Sequence, residues 1–330
     1  MLREIIDCID AGTEFCPCHL AESDECILCS QLQGSCFCDC LNWNGVCIYH
    51  DFISNSSKAK EGRKTYNCLV KDKVLYEKDF LLIKFEVSHK LAIDLAKPGS
   101  YVFIRTNENI YFDVPISVLE SDVENNIISI MIEIRGIKTK KLLEIEVNGE
   151  ITIRGPYWNG VFGIKNVNNQ KDNEVLVIAR GIGMAPMMPI VRKLSLNNNN
   201  VNIILDISPY KDNYVKDYLS KYDVKVTEEI VIDKGDLSDE AKVLIKKYIK
   251  EKGINYIHIS GADILSVKLI EYLKNIDCEH VKLSCCNNSK MCCGEGVCGS
   301  CTIRFSGRRV KRLCKLQTEP RNVFEGRRFI

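Results

Sequence analysis

The chain has 330 residues, 45% of them hydrophobic and 27% charged, with a formal net charge of +1. That is the balance of an ordinary globular protein with room for two or three domains, and no apolar run approaches the roughly 18 residues of a membrane span. Acids interrupt residues 1–7, where a signal peptide would be continuously apolar, so a soluble, unexported, cytoplasmic protein is expected.

Eighteen cysteines in such a protein argue for metal ligation, because cytosolic thiols are kept reduced. They are segregated: nine fall within 1–47, eight within 278–314, and only Cys68 lies between. The first segment, 1–62, is a cysteine-rich, acidic lobe with little periodicity. Cys16-Pro17-Cys18-His19, Cys26-x2-Cys29, Cys36-x-Cys38-x-Cys40 and Cys47 put eight cysteines in 32 residues. So little apolar material needs metal staples. Eight thiolates suffice for two four-thiolate sites, of zinc or of [4Fe–4S] type. Cys16, Cys18, Cys26, Cys29, Cys38, Cys40 and Cys47 are the candidate ligands, with His19 able to replace a thiolate; Cys8 and Cys36 rank as spares.

The second segment, 63–164, reads as β. Leu81-Leu82-Ile83-Lys84-Phe85-Glu86-Val87, Tyr101-Val102-Phe103-Ile104-Arg105, Ile127 to Ile134 and Glu150 to Arg154 are β-branched runs. Turns such as Pro98-Gly99, Asn125-Asn126 and Gly155-Pro156 bound them, which predicts a small antiparallel barrel. The third segment, 165–280, alternates strand and helix. Val175-Leu176-Val177-Ile178-Ala179 is the continuous apolar run of a strand buried on both faces. Gly181-Ile182-Gly183-Met184-Ala185-Pro186 follows it and opens a helix through Met187, Ile190 and Leu194. Then come a strand at 202–206, a helix near 239–251 stopped by Gly253, a strand at 256–260, and a helix through Leu265, Leu269 and Leu273. This order predicts a doubly wound parallel sheet. Its first strand-to-helix turn is where such sheets bind a dinucleotide, although the run lacks the full G-x-G-x-x-G fingerprint.

The fourth segment, 281–330, holds Cys293-x4-Cys298-x2-Cys301-x12-Cys314. Three thiolates from a glycine-rich loop and a fourth from a later strand match a plant-type [2Fe–2S] site. Structural zinc would bring two separated Cys-x2-Cys knuckles. Cys292 could replace Cys293 only by stretching the first spacing.

Charge is polarised along the chain. Residues 1–57 carry nine acids against Arg3 alone, and 302–330 carry nine bases against Glu319 and Glu325. The plain reading is two faces that balance each other within the fold. The sharper reading is an electropositive docking surface beside the cluster loop for an acidic redox partner. Neither nucleic acid nor membrane is an expected partner.

A barrel, a sheet opening Gly-Ile-Gly-Met-Ala-Pro and a Cys-x4-Cys-x2-Cys tail, in this order, resemble one group within the ferredoxin–NADP reductase superfamily. That group holds the electron-transfer subunits of NAD-linked dihydroorotate dehydrogenase and the small subunit of NADH-dependent ferredoxin:NADP oxidoreductase. Pro98-Gly99-Ser100-Tyr101-Val102 is similar to a family strand, and Val114-Pro115-Ile116-Ser117 falls where the family has Arg-Pro-Ile/Leu-Ser along the flavin. The turn Arg135-Gly136-Ile137-Lys138-Thr139 resembles the one against the FAD diphosphate. Gly155 to Gly160 resembles the turn that closes the barrel.

The resemblance implies a multi-domain α+β and α/β fold: an FAD barrel, a doubly wound NAD(P) domain, a C-terminal [2Fe–2S] module and the cysteine-rich N-terminal lobe. It implies flavin contacts from Tyr101, Val114, Pro115, Ile116, Ser117, Ile132, Glu133, Gly136, Lys138 and Thr139. Nicotinamide nucleotide contacts fall to Gly181, Gly183, Met184, Ala185, Pro186 and Gly261. Two departures stand out. Val114 replaces the family arginine, leaving Arg135, Lys138 or Arg105 to face the FAD phosphates, or an FMN site in its place. Ser260-Gly261-Ala262 replaces Cys-Gly-Pro at the nicotinamide, and Asp206 is open as a ribose contact or a plain strand-end acid.

The implied activity is an NAD(P)H-linked flavin and iron–sulfur oxidoreductase subunit with no catalytic side-chain set of its own. It would serve a larger oxidoreductase subunit in a hetero-oligomer, with ferredoxin a further candidate partner and electron bifurcation one setting. In that context one or two [4Fe–4S] clusters fit the N-terminal lobe better than redox-inert zinc. The rival expectation is an iron–sulfur redox sensor whose flavin and nucleotide sites have degenerated.

Overall fold

A computed structural model describes residues 6–38, 45–77, 79–106, 113–304 and 310–324. Strands β1 (Lys64–Tyr76), β2 (Phe80–Glu86), β3 (Tyr101–Arg105), β4 (Val114–Asp122), β5 (Ile127–Glu133) and β6 (Glu150–Tyr157) close into an antiparallel barrel in the order β1-β2-β5-β4-β3-β6. Alternation explains closure. Leu81, Ile83, Phe85, Val102 and Ile104 fill the barrel, and their neighbours Phe80, Leu82, Tyr101 and Phe103 face outward. The helix His89–Leu95, capped by the Ser88 hydroxyl, closes one side of the barrel.

β7 (Val161–Phe162), β8 (Glu174–Arg180), β9 (Asn200–Asp206), β10 (Val224–Glu228), β11 (Tyr256–Ser260) and β12 (Lys282–Cys286) form one sheet in the order β10-β9-β8-β11-β12-β7. All pairings are parallel except that of β7 with β12. The expected parallel sheet thus gains an antiparallel edge from the chain leaving the barrel. Strand β12 also places the start of the fourth segment inside this sheet. Val175, Val177 and Ala179 of β8 pack on one face and Leu176 and Ile178 on the other, so the apolar run serves two layers. Helix α1 (Met184–Leu196) covers the first face; α2 (Asp239–Lys252) and α3 (Asp263–Asn275) cover the second. Helix α2 starts at Ser238, whose hydroxyl accepts from Ala241 N at 3.1 Å, and stops at Gly253 with φ +67°.

Barrel and sheet share a core. Phe80, Leu82, Leu119 and Met131 pack with Met184, Met187 and Met188 of α1. The N-terminal lobe is tied to the last segment by pairing of Asp7–Cys8 with Leu316–Gln317. Among the described residues no helix is long and apolar enough to cross a membrane.

Candidate functional site

Cys293, Cys298 and Cys301 lie on a loop pressed between barrel and lobe, and Cys314, just after the strand Val310–Arg312, meets them. Gly294 has φ +72°, and a Cβ there would lie 2.4 Å from Tyr157 Cε1; Gly296 has φ +84° and abuts Leu20. Only glycine fits both positions. Backbone amides aim at sulfur: Glu295 N and Cys298 N donate to Cys293 Sγ at 3.3 and 3.5 Å, and Cys314 N to Cys301 Sγ at 3.4 Å. Cys293 is brought down to about 4, first by its hydrogen bond with Cys314 and then, against burial, by these amides. Thiolate-favouring amides around four convergent sulfurs fit an iron–sulfur donor set. Cys292 is exposed on the same loop.

The loop joins the barrel through β6. Arg154 Nη1 donates to Cys293 O at 2.9 Å, and the hydroxyl of Tyr157 donates to the same oxygen at 3.3 Å. Arg154 also stacks 4.5 Å over Phe103 and pairs with Asp113 at 3.2 Å. Tyr101, Phe103 and Tyr157 form an outward aromatic patch with Met291 against it, and among the described residues the buried Tyr101 hydroxyl has no hydrogen-bond partner.

Along the same outer face, the residues expected at a flavin divide. The side chains of Val114, Ile116 and Ile132 pack against the barrel core, which leaves half-buried Pro115, Ser117 and Glu133 on the outer face. Thr139 Oγ1 accepts from Arg135 N and Gly136 N at 3.0 and 3.1 Å, shaping the turn. Of the three cations open as substitutes for the arginine, Arg135 is taken up by Glu133 at 2.7 Å. Arg105 and Lys138, with Lys141, line a small pocket together with Val114. Arg105 Nη1 lies 3.7 Å from Asp113 Oδ1, and among the described residues its buried Nε has no hydrogen-bond partner. Two lysines and a guanidinium with an unmet donor, at the position of the missing cation, suit a diphosphate.

The predicted nucleotide residues also converge. Gly181 (φ +56°) and Gly183 turn at the carboxyl end of β8, and Gly261 follows β11 beside them. A Cβ on Gly183 would stand 2.2 Å from Ser260 O and 2.8 Å from Gly261 N. Ser260 Oγ donates to Gly183 O at 2.6 Å, which locks the two strand ends together. The sheet order reverses between β8 and β11, so this crevice is the topological switch point. Met184 and Ala185 are buried and Pro186 half-buried at the start of α1. Tyr210 lies 3.9 Å from the Gly181 Cβ position and 4.5 Å, ring to ring, from Phe80, whose register partner is Glu133. Flavin-side and nucleotide-side residues therefore adjoin. Asp206 is a strand-end acid already engaged by Arg180, Ser208 N and Val231 N, each at 3.0 Å.

In the lobe, Cys16, Cys18 and Cys26 line one cavity together with Cys8. Cys29 lies beside it, Cys36 and Cys38 are exposed, and Cys47 Sγ accepts from His50 N at 3.4 Å. Cys40 lies outside the described residues. His19 turns to Glu22 at 3.1 Å.

Sequence reading missed a buried charge cluster that fastens lobe, barrel and cluster loop. Arg63 pairs with Asp10 at 2.5 Å and with Glu295 at 2.9 Å, and Lys315 pairs with Asp10 at 2.5 Å and with Glu295 at 3.0 Å. Burial opposes ionisation of both acids, but Lys315 and Arg63 outweigh it and hold their carboxyls below the ordinary range. The only sequence trace was the opposed charge of the chain's two ends.

No family model matches the chain. It is 28% identical over 259 residues to the dihydroorotate dehydrogenase B (NAD(+)) electron transfer subunit of Clostridium acetobutylicum, covering 74% of this chain and 94% of that relative. The Fusobacterium nucleatum counterpart is 25% identical, with 73% and 90% covered. Among solved structures, the NADH-dependent reduced ferredoxin–NADP oxidoreductase matches with a TM-score of 0.57 at 20% identity, covering 77% of this chain and 86% of that one. A ferredoxin reductase of carbazole 1,9a-dioxygenase matches with a TM-score of 0.51 at 13% identity, covering 68% and 69%. The chain thus has the ferredoxin–NADP reductase fold, and in sequence it resembles the electron-transfer subunits of dihydroorotate dehydrogenase B.

Proposed function

We propose that this chain is an oxidoreductase subunit that moves electrons between NAD(P)H and a larger partner enzyme through FAD and a [2Fe–2S] centre. The observation that carries the reading is the amide-lined quartet Cys293, Cys298, Cys301 and Cys314, bonded to the barrel's aromatic face through Arg154 and Tyr157. Bound flavin supplies the conversion between hydride and single-electron chemistry. The protein's residues do the rest. Arg105, Lys138 and Lys141 neutralise the diphosphate, while Pro115, Ser117 and Glu133 face the ring system. The Gly181–Gly183 turn and the N-terminus of α1 receive the nucleotide pyrophosphate. Contact of Tyr210 with both Phe80 and the Gly181 turn supports close approach of nicotinamide and flavin.

The lobe adds redox-active iron to this chain of carriers. All described cysteines are free thiols, in keeping with a reducing, cytoplasmic setting. Ferredoxin is a candidate second partner. Two of the polarised charges pair across the chain, Asp10 with Lys315 and Glu25 with Arg312, which supports balance within the fold at those positions. The cation-lined pocket beside Val114 speaks against a degenerate, sensor-only flavin site.

Anaerobic purification followed by flavin, iron and sulfide quantitation tests the reading. A yellow chromophore bleached by NADH or NADPH is expected, and Lys138→Glu should weaken FAD binding by an amount that shrinks with added salt. Brown protein with stoichiometric cluster iron but no flavin would instead favour the sensor.

A further inference from the structure

Strands β3 and β6 fall out of step beside the cluster loop. Tyr101 pairs with Tyr157 and Phe103 with Arg154, so a two-residue step on β3 meets a three-residue step on β6. Residues three apart on a regular strand point to opposite faces. The extra residue of this bulge turns Arg154 and Tyr157 to the same, outer face. There Arg154 stacks 4.5 Å over Phe103, and the Tyr157 ring lies 5.1 Å from that of Tyr101. On the other edge of β3, Phe103 pairs with Pro115 and Tyr101 with Ser117. Two rows, Arg154–Phe103–Pro115 and Tyr157–Tyr101–Ser117, therefore run from the cluster loop to the strand proposed for flavin.

We propose that Arg154 is the positioning residue that couples the flavin face to the [2Fe–2S] centre: it ties the two segments together and keeps a positive charge against the cluster loop. This role rests on the proposed flavin and [2Fe–2S] carriers and names the side chain that joins their sites. NAD(P)H yields NAD(P)+, two electrons and a proton. The electrons leave one at a time through the cluster for an acceptor in the partner enzyme, and the proton passes to solvent.

The guanidinium has two arms. Nη1 donates at 2.9 Å to the backbone oxygen of Cys293, a proposed cluster ligand. Nε and Nη2 donate to Asp113 Oδ2 at 3.3 and 3.2 Å, immediately before Val114-Pro115-Ile116-Ser117. A planar fork can serve both at once, which a lysine cannot. The charge is also left uncancelled. Asp113 has Arg105 Nη1 at 3.7 Å as well, so one carboxylate serves two guanidiniums, and Glu295 of the cluster loop is already matched by Arg63 and Lys315. Arg154 and Asp113 are only 21% and 19% exposed, so salt screens them weakly. A cation so placed favours the reduced cluster, because reduction adds negative charge there.

The test uses the full chain from anaerobically grown cells, with EPR-monitored redox titration and freeze-quenching after mixing with NAD(P)H. Arg154→Gln should keep its flavin, its iron and the bleaching of flavin by NAD(P)H. Its cluster should be about tenfold harder to reduce, ~59 mV more negative for one electron, and electrons should reach it several-fold more slowly. Arg154→Lys, which keeps the charge without the fork, should hold the potential and still slow the transfer. Asp113→Asn, which removes the opposing charge, should shift the potential the other way. Loosened packing alone would move the potential in one direction in both Arg154→Gln and Asp113→Asn. That result, or an unchanged potential and transfer rate in Arg154→Gln, overturns the role of Arg154 and leaves the proposed function standing. An unsubstituted chain without a [2Fe–2S] signal overturns both. Should Arg154→Gln fail to accumulate, slowed transfer in Arg154→Lys with a raised potential in Asp113→Asn supports the role, and the absence of both effects overturns it.

Discussion

Arg63 is 7% exposed and Lys315 fully buried, and the guanidinium and the ammonium stay charged there because Asp10 and Glu295 are beside them. Removing one partner of such a group strands charge in a low dielectric, so Asp10→Asn should cost about 3–5 kcal/mol in anaerobic urea unfolding. Glu25→Gln, which cuts the more exposed pair with Arg312, should cost less than about 1 kcal/mol in the same assay. His258 offers a second test at this scale. It is fully buried, its Nδ1 shares a 2.7 Å hydrogen bond with Ser284 Oγ, and burial pushes it down to about 3. An unfolded histidine titrates near about 6.5. Between those values the unfolded chain binds a proton that the folded chain refuses. Stability is therefore complete above about pH 6.5 and falls as pH drops, by up to ~1.4 kcal/mol per pH unit. Denaturation midpoints measured from pH 7 to 5.5 should decline less steeply in His258→Gln than in the native chain.

At the scale of elements, the contact between the Gly181–Gly183 turn and the end of β11 decides the nucleotide crevice. A methyl group on Gly183 would meet backbone atoms of Ser260 and Gly261, not a side chain that can turn away. Gly183→Ala should therefore shift the start of α1 and weaken NAD(P)H binding roughly tenfold or more, about 1.4 kcal/mol. Flavin content should not change, because the barrel face is built from other strands. Gly253→Ala is the control. Nothing lies within 4 Å of its Cβ position, so only the strain of φ +67° is felt, as a stability loss of about 1 kcal/mol without effect on affinity.

Across the whole molecule, the lobe is held by the buried charge cluster, the Asp7–Cys8 strand pair, ion pairs such as Asp7–Lys165 and Glu14–Lys90, and Leu20 and Ile27, which join the apolar cluster under the second face of the sheet. The barrel and the first face of the sheet share an apolar core that contains no lobe residue. Hydrogen exchange of Asp10→Asn at neutral pH should thus accelerate at Ile9, whose amide donates to Lys315 O at 2.9 Å. Amides of β2 and β5 should keep their protection. Equal loss of protection in lobe and barrel would mean that the molecule opens as a single unit.

How much was legible beforehand follows from range. The run 175–179, the Ser238 and Gly253 caps and the alternation in 81–85 and 101–105 each declare their element locally, because period and cap chemistry act over a few residues. The Cys293-x4-Cys298-x2-Cys301 loop was readable for the same reason. Its close approach to Tyr157 and Leu20 was not, since glycine records permission for contact and not the contact itself. His89–Leu95 hid inside a segment whose surroundings are β, too short for a helical period to stand out. The strand Lys282–Cys286 joined the α/β sheet, and Asp7–Cys8 found Leu316, only through pairings across long stretches of chain. By itself the sequence determined the local elements, their order and the segregation and spacing of the cysteines. Only tertiary structure decided which thiols share a cavity, which cations line the pocket beside Val114, and which opposite charges meet. Those are choices among many distant partners, made by burial and chain topology together.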